Sequence, residues 1–282
     1  MFKVGSAGST PDNVTKNEAN ISNVGSLARK ELLIKIGESV ANLNTIVVGL
    51  AAVENGAEKP DGLDISWNPK DRKAAARKAR KTAVEAVMIQ AAEATNQYCY
   101  AIANLPRFSV LRAEWKKKDT CMADRFVELA KKLETEPIYF EIYGVALMIH
   151  WRNRFVHSTS SADLKHHEKK ILRDHEDEVS SKYARLSVDC LLCHFQEQRP
   201  TLKDVSSLIA MTINTVHRID KLIYKCNAKE DVEAWMKYYE IDLILDRVTK
   251  QTNPVKLADS IRRMLLTKAP QLVDPYFKFC VP

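Results

Sequence analysis

Between residues 27 and about 55 the apolar side chains return at helical spacing, and Gly56 supplies a stop. Residues 54–69 (ENGAEKPDGLDISWNP) are dense in Gly, Pro, Asp and Asn and read as a loop. Asn68-Pro69 then opens a long helix, with Asn68 as N-cap and Pro69 at the first helical position. That helix runs to about residue 104, where Leu105-Pro106 closes it. Further helical patterns cover about 123–132 and 138–158, the second introduced by Glu136-Pro137. Residues 159–178 are Ser-rich and then highly charged, which predicts an exposed and partly mobile stretch. Amphipathic patterning resumes over 180–197, breaks at Arg199-Pro200, and continues over 201–226. Two shorter helices, 231–249 and 254–268, flank Asn253-Pro254. The first 26 residues carry few large apolar side chains and read as a flexible polar tail.

Composition sharpens this into a fold class. The chain has 8 Gly and 10 Pro in 282 residues, where average usage would supply roughly 34 of the two together. Sheets need a turn every ten residues or so, and this chain lacks the turn residues for them. An all-α helical bundle with extra helices at both ends is expected. Hydrophobic residues make up 45% against 28% charged, enough for a core and too many for global disorder. The expected division is a tail over 1–26, a helix and loop over 27–66, the bundle over 67–226, and a helical extension over 227–282. No charge-free helical run approaches the ~20 residues of a membrane span, and no apolar leader is visible, so a cytoplasmic protein is expected with no membrane contact. The net charge of +7 is compatible with a polyanion partner without requiring one.

The helix over 138–158 is unusual. With Arg152 at the origin of a helical wheel, Tyr139, Tyr143, His150, Asn153, Arg154 and His157 fall between about 100° and 200°. The rest of the girth is mostly apolar, including Val145, Met148, Ile149, Trp151, Phe155 and Val156. A surface helix would carry a broad polar face instead. The narrow stripe points to a cleft. A helix end dressed with cations that suit its dipole gives the same pattern.

At the end of that helix, Arg152 is followed by Asn153 and, after four intervening residues, by His157. An Arg-x4-His motif with a polar second residue, near the end of a helix in an all-α chain, resembles the HEPN family (higher eukaryotes and prokaryotes nucleotide-binding). The resemblance covers about residues 68–226 and implies a metal-independent endoribonuclease of the toxin or antiviral-defence type, with Arg152, Asn153 and His157 as its catalytic residues. It also implies RNA as substrate, a homodimer with two motifs meeting across a shared cleft, and an antitoxin or regulatory protein as a further partner. No cofactor and no metal are expected. The chemistry is self-consistent: an imidazole with an ordinary pKa of about 6.5 takes the proton of the RNA 2′-hydroxyl, and a guanidinium braces the phosphorane with paired donors. Tyr143, His150 and Arg154 lie outside the motif and are its neighbours by geometry alone. The alternative is a catalytically inactive bundle of the same kind that binds RNA or a protein.

Three other features bear on function. Residues 70–81 hold seven basic residues against one acid, Asp71, on the first turns of a helix where the dipole disfavours cations. Arg77, Lys78, Arg80 and Lys81 are therefore candidate RNA-backbone contacts, with a solvated face as the equal alternative. Glu93, the only acid in residues 86–104, is a candidate partner for Arg152 or Arg154. Cys190-Leu191-Leu192-Cys193-His194 spells a haem-attachment pattern, but its apolar context predicts cysteines packed in a core, as for Cys99, Cys121, Cys226 and Cys280. Walker, dinucleotide, serine-hydrolase and zincin motifs are missing.

Overall fold

A computed structural model describes residues 26–133, 139–157, 159–251 and 253–280. The tail over 1–25, and the Glu136-Pro137 entry to the motif helix, lie outside them. Among the described residues every regular element is helical, and the all-α class stands. The chain forms two compact units, one built on Leu27–Leu222 and one on the segment from Ile223 onward.

The larger unit begins with a helical hairpin. α1 (Leu27–Glu54) and α2 (Arg72–Ala103) pack against each other along their lengths. The seam on α1 is Leu32, Ile36, Ser39 and Leu43, spaced at i, i+4, i+7 and i+11. α2 is rich in buried alanine (Ala91, Ala92 and Ala94), which lets neighbouring helices approach closely. The first helix is thus part of this unit's core, not an addition to a bundle starting at residue 67. The N-cap of α2 is Asp71, whose carboxylate accepts from Ala74 N at 3.0 Å, and not Asn68. Asp71 wins because it immediately precedes Arg72, and its side chain accepts the first-turn N–H of Ala74.

A short 3-10 turn, Pro106–Phe108, leads into α3 (Ser109–Lys118), an element the periodicity did not reveal. α4 (Met122–Lys132) and α5 (Tyr139–Val156) follow, and both pack on α2. α5 is the centre of the unit: every side chain over 140–151 is buried. At Gly144 an added Cβ would run into the Met211 sulfur of the later helix α9 (Leu202–Ile223), so a larger residue there requires that side chain to move.

The segment expected to be exposed and mobile folds instead into α6 (His166–Asp174) and α7 (Glu176–Lys182). α6 lies on α5, burying Leu172 and Glu168, and α7 buries Val179. The pattern misled because helices this short show two or three apolar positions among many charges. Predicted helix 180–197 is likewise two elements, α7 and α8 (Val188–Gln196), broken where Ala184 and Arg185 adopt left-handed φ of 54° and 57°. On α8, Val188, Leu191, Leu192 and Phe195 turn inward. Cys190 and Cys193 therefore face out, and Cys121 is exposed too, contrary to the expectation of core thiols; Cys99 and Cys226 are buried as expected.

α1 meets a looser criterion than an unbroken charge-free run. It is long and apolar enough to cross a membrane by length and composition, with mean hydropathy 1.4 over a window of which 17% is buried. Glu38 and Glu54 bound a charge-free stretch too short for a span by itself, but two tolerated charges lengthen the window.

In the smaller unit, α10 (Lys229–Tyr238), α11 (Ile241–Gln251), α12 (Pro254–Lys268) and α13 (Val273–Phe279) follow one another, the last after a 3-10 turn at Pro270–Leu272. The expected single helix over 231–249 is broken between α10 and α11, where Glu240 has φ of 54°. Trp235 stacks on Tyr239 with centroids 5.8 Å apart, and the Tyr239 and Tyr224 hydroxyls meet at 3.1 Å. Leu265, Leu272 and Val273 complete its apolar interior.

Candidate functional site

The motif sits where α5 leaves the core. Its last buried residue is Trp151, edge-on to Phe195, and from Arg152 onward the helix becomes partly exposed. Arg152 forms an ion pair with Glu93 of α2, and its Nη1 donates to Asn153 Oδ1 at 3.2 Å. The Arg152 side chain is 20% exposed and that of Glu93 37%. Arg152 Nε is buried and makes no hydrogen bond among the described residues. A guanidinium has five N–H donors, so the two bonds it makes leave it donors to spend on a ligand.

His157 ends the helix. Its backbone N–H donates to Asn153 O at 2.9 Å, and its own carbonyl accepts from Ser160 N–H at 2.9 Å. The residue is exposed, and no hydrogen bond or ion pair engages its ring among the described residues. Asn153 faces Arg152 and not the imidazole, so it orients the guanidinium. Helical geometry sets Arg152 and His157 about 140° apart around the axis, which keeps the two side chains of one chain on different sides.

The structure separates the remaining stripe residues from this site. Tyr143 is buried, with the His167 ring edge-on at 6.3 Å and Lys131 Nζ 5.9 Å from its ring centre. His150 is 8% exposed, and its Nδ1 has no hydrogen-bond partner among the described residues. Burial pulls its pKa below the ordinary 6.5, against the opposing fields of Asp124, Glu168 and Asp163. α6 covers this part of the stripe, so Tyr143 and His150 line no surface that a second copy could share. Arg154 serves the fold: its Nε donates to Ala162 O at 2.8 Å, its guanidinium lies 3.9 Å above the Phe195 ring, and Asp163 stands 3.5 Å away. Burial pushes the Asp163 carboxyl up, but hydrogen bonds from Lys169 and Gln196 outweigh that and hold it below 3.8. Tyr139 belongs to α5, but its side chain lies outside the described ones.

The basic run divides in the same way. Arg80 pairs with Glu54 at 3.0 Å and Lys81 with Glu85 at 3.7 Å, whereas Arg77 and Lys78 are exposed with no ion pair among the described residues. Arg72 is occupied by Gly56 O at 3.0 Å and by Glu58 at 3.6 Å.

Two features escaped the sequence reading. Beside the Arg152–Glu93 pair, an open cleft of about 350 Å³ lies between α1 and α2, with Glu93 itself in its wall. Its polar residues come from two distant segments, so no local motif signals it. At the other end of α5, Glu141 is fully buried and accepts a hydrogen bond from the Tyr183 hydroxyl, with Arg218 Nη1 3.5 Å from its second oxygen. The wheel places Glu141 about 20° from Arg152, off the stripe, which is why it was passed over. Among the described residues no group of three or more His, Cys, Asp and Glu side chains is placed to hold a metal ion. His194, next to Cys193, is tied to Asp204 at 2.9 Å.

No protein-family model, no curated protein and no solved structure matches this chain.

Proposed function

We propose that this protein is a metal-independent endoribonuclease resembling the HEPN type, acting in the cytoplasm as part of a toxin or antiviral response. The observation that carries the reading is the exposed end of α5. There Arg152 keeps unspent donors beside an open cleft, and the uncommitted imidazole of His157 follows on the same helix. His157 takes the proton from the RNA 2′-hydroxyl, and the freed oxygen attacks the adjacent phosphorus. The guanidinium of Arg152 braces the non-bridging oxygens as the P–O5′ bond breaks. The departing 5′-oxygen takes a proton from the imidazole of a second copy, which gives a 2′,3′-cyclic phosphate and a 5′-hydroxyl. A homodimer also answers the angular separation of Arg152 and His157, because each copy's Arg can face the other's His. That dimer meets at the helix ends, since the middle of the stripe is covered.

The test is incubation of the purified protein with tRNA and mRNA in EDTA, followed by mapping of the cut ends. Cleavage with cyclic-phosphate ends is expected, and His157→Ala should lower it ~10²-fold or more. Loss of cleavage in EDTA together with full activity of His157→Ala would overturn the proposal. Light scattering should report twice the chain mass.

One observation favours a second reading, an inactive module that binds RNA or a protein. Glu93 already occupies part of the Arg152 guanidinium, so a phosphate must share it with a carboxylate. RNA retention without any cut ends would decide for that reading.

A further inference from the structure

The α1–α2 cleft has a chemistry of its own. Its volume of about 350 Å³ lies in the range of roughly 300–1,000 Å³ typical of small-ligand sites. Ile89 and Ala94 give it an apolar floor, while Lys35, Glu38, Gln90 and Glu93 stand around it. Two carboxylates in the wall repel phosphate. Glu93 nevertheless holds Arg152, so an anion on Arg152 and an uncharged ring in the cleft are immediate neighbours.

We propose that this cleft receives one unstacked nucleobase of the RNA and selects guanine. The inference rests on the reading of Arg152 as the phosphate brace. Lys35 and Glu38 are three residues apart on α1 and share a face. The first offers donors only, and the second, as carboxylate, acceptors only. The Watson–Crick edge of guanine presents the complement: the O6 acceptor beside two adjacent donors, N1–H and N2–H₂. Lys35 meets O6, and the Glu38 carboxylate accepts from both N–H groups. Adenine sets its N1 lone pair beside N6, uracil flanks one donor with two oxygens, and cytosine follows one donor with two acceptors. None of those three sets two adjacent donors beside an acceptor, so none can fill both carboxylate oxygens while meeting Lys35. Lys35 at present donates to Gln97, an exposed amide of α2, and that bond is readily exchanged for one to a ligand. Bases stripped from their stack and read on this edge are the usual targets of sequence-specific RNA recognition.

The experiment titrates the intact protein with GMP, AMP, UMP and CMP, and in parallel maps cut sites on a mixed-sequence RNA. GMP should bind about tenfold tighter than the others, in line with one good bidentate contact, and cuts should fall beside G. Glu38→Gln and Lys35→Met, both at exposed positions, should abolish the preference while leaving thermal unfolding unchanged. Equal binding of the four nucleotides, or a GMP preference that survives Glu38→Gln, overturns the proposal. Cleavage without base preference, unaffected by Glu38→Gln, removes the guanine site and leaves the nuclease. GMP selectivity in a protein that never cuts RNA keeps the site and removes the nuclease.

Discussion

The two ends of α5 carry their charges in opposite ways. Glu141, near the start, is fully buried; it accepts from the Tyr183 hydroxyl, which in turn accepts from Asn214 Nδ2 at 3.0 Å. Burial and the neighbouring carboxylate push the Tyr183 pKa well above 10, so the hydroxyl remains a donor. Arg152, near the end, is partly exposed, shares its carboxylate partner with solvent, and keeps donors in reserve. A buried carboxylate whose neighbours exist to compensate it stabilises one arrangement of the core. A partly exposed cation that does not spend all its donors on the fold has some left for an anion. The difference fits a structural role at the first end and the proposed anion contact at the second.

The sharpest way to break that contrast is to remove Arg152. Arg152→Ala should lower RNA cleavage ~10²-fold or more, with little change in melting temperature, because the Glu93 it leaves behind can be hydrated. A large melting shift with cleavage preserved would reverse the assignment. Removing the donor at the other end should do the opposite. Tyr183→Phe leaves the Glu141 carboxylate without its hydrogen bond, at a cost of about 1–3 kcal/mol. In a unit of this size that lowers the melting temperature by roughly 2–4 °C per kcal/mol. Cleavage below the transition should be unchanged.

The same contrast between committed and free charge sorts the basic run of α2. Arg77→Gln with Lys78→Gln should flatten the salt dependence of RNA binding by about 0.7 for each phosphate that is no longer held. Arg80→Gln and Lys81→Gln, whose cations are already paired with Glu54 and Glu85, should change it less. Slopes unchanged from the native protein in both double variants would make the whole run a solvated face.

What could be read from the residues alone followed the length of the pattern. The long helices α1, α2, α5 and α9 were legible because many turns of periodic side chains outvote any local ambiguity. α6 and α7 were not, because a two-turn helix shows too few apolar positions to declare a face, and α6 is the element that covers Tyr143 and His150. The stripe was real as a sequence pattern, but its meaning depended on what packed over it. Arg152 and Glu93 were each singled out from sequence, and their pairing needed only the neighbouring helix. Glu141 was missed since its partners, Tyr183 and Arg218, lie far along the chain. The cleft was missed for the same reason: Lys35 and Glu93 are brought together only by the hairpin.

His150 lies between the two ends and gives the smallest effect. It is buried like Glu141, but its Nδ1 has no compensating hydrogen bond among the described residues. Burial lowers its pKa, with Asp124, Glu168 and Asp163 pulling the other way and Arg154 adding to the depression. The folded protein therefore binds fewer protons at this site than the unfolded chain, whose imidazole titrates near 6.5. Stability rises with pH wherever the unfolded state holds the extra proton. His150 thus contributes a loss of stability as the pH falls below 6.5, at no more than about 1.4 kcal/mol per pH unit, and the loss levels off below its folded pKa. His217, also depressed by burial and by Arg29, acts in the same window. Asp124 and Asp163, held below 3.8, act only under more acidic conditions. Urea midpoints at pH 7.5 and 5.5 should differ for the native sequence, and His150→Gln should shrink the difference without erasing it, His217 supplying the rest. An undiminished difference in His150→Gln would mean that this imidazole is already compensated when the chain is folded, and would place it with Glu141.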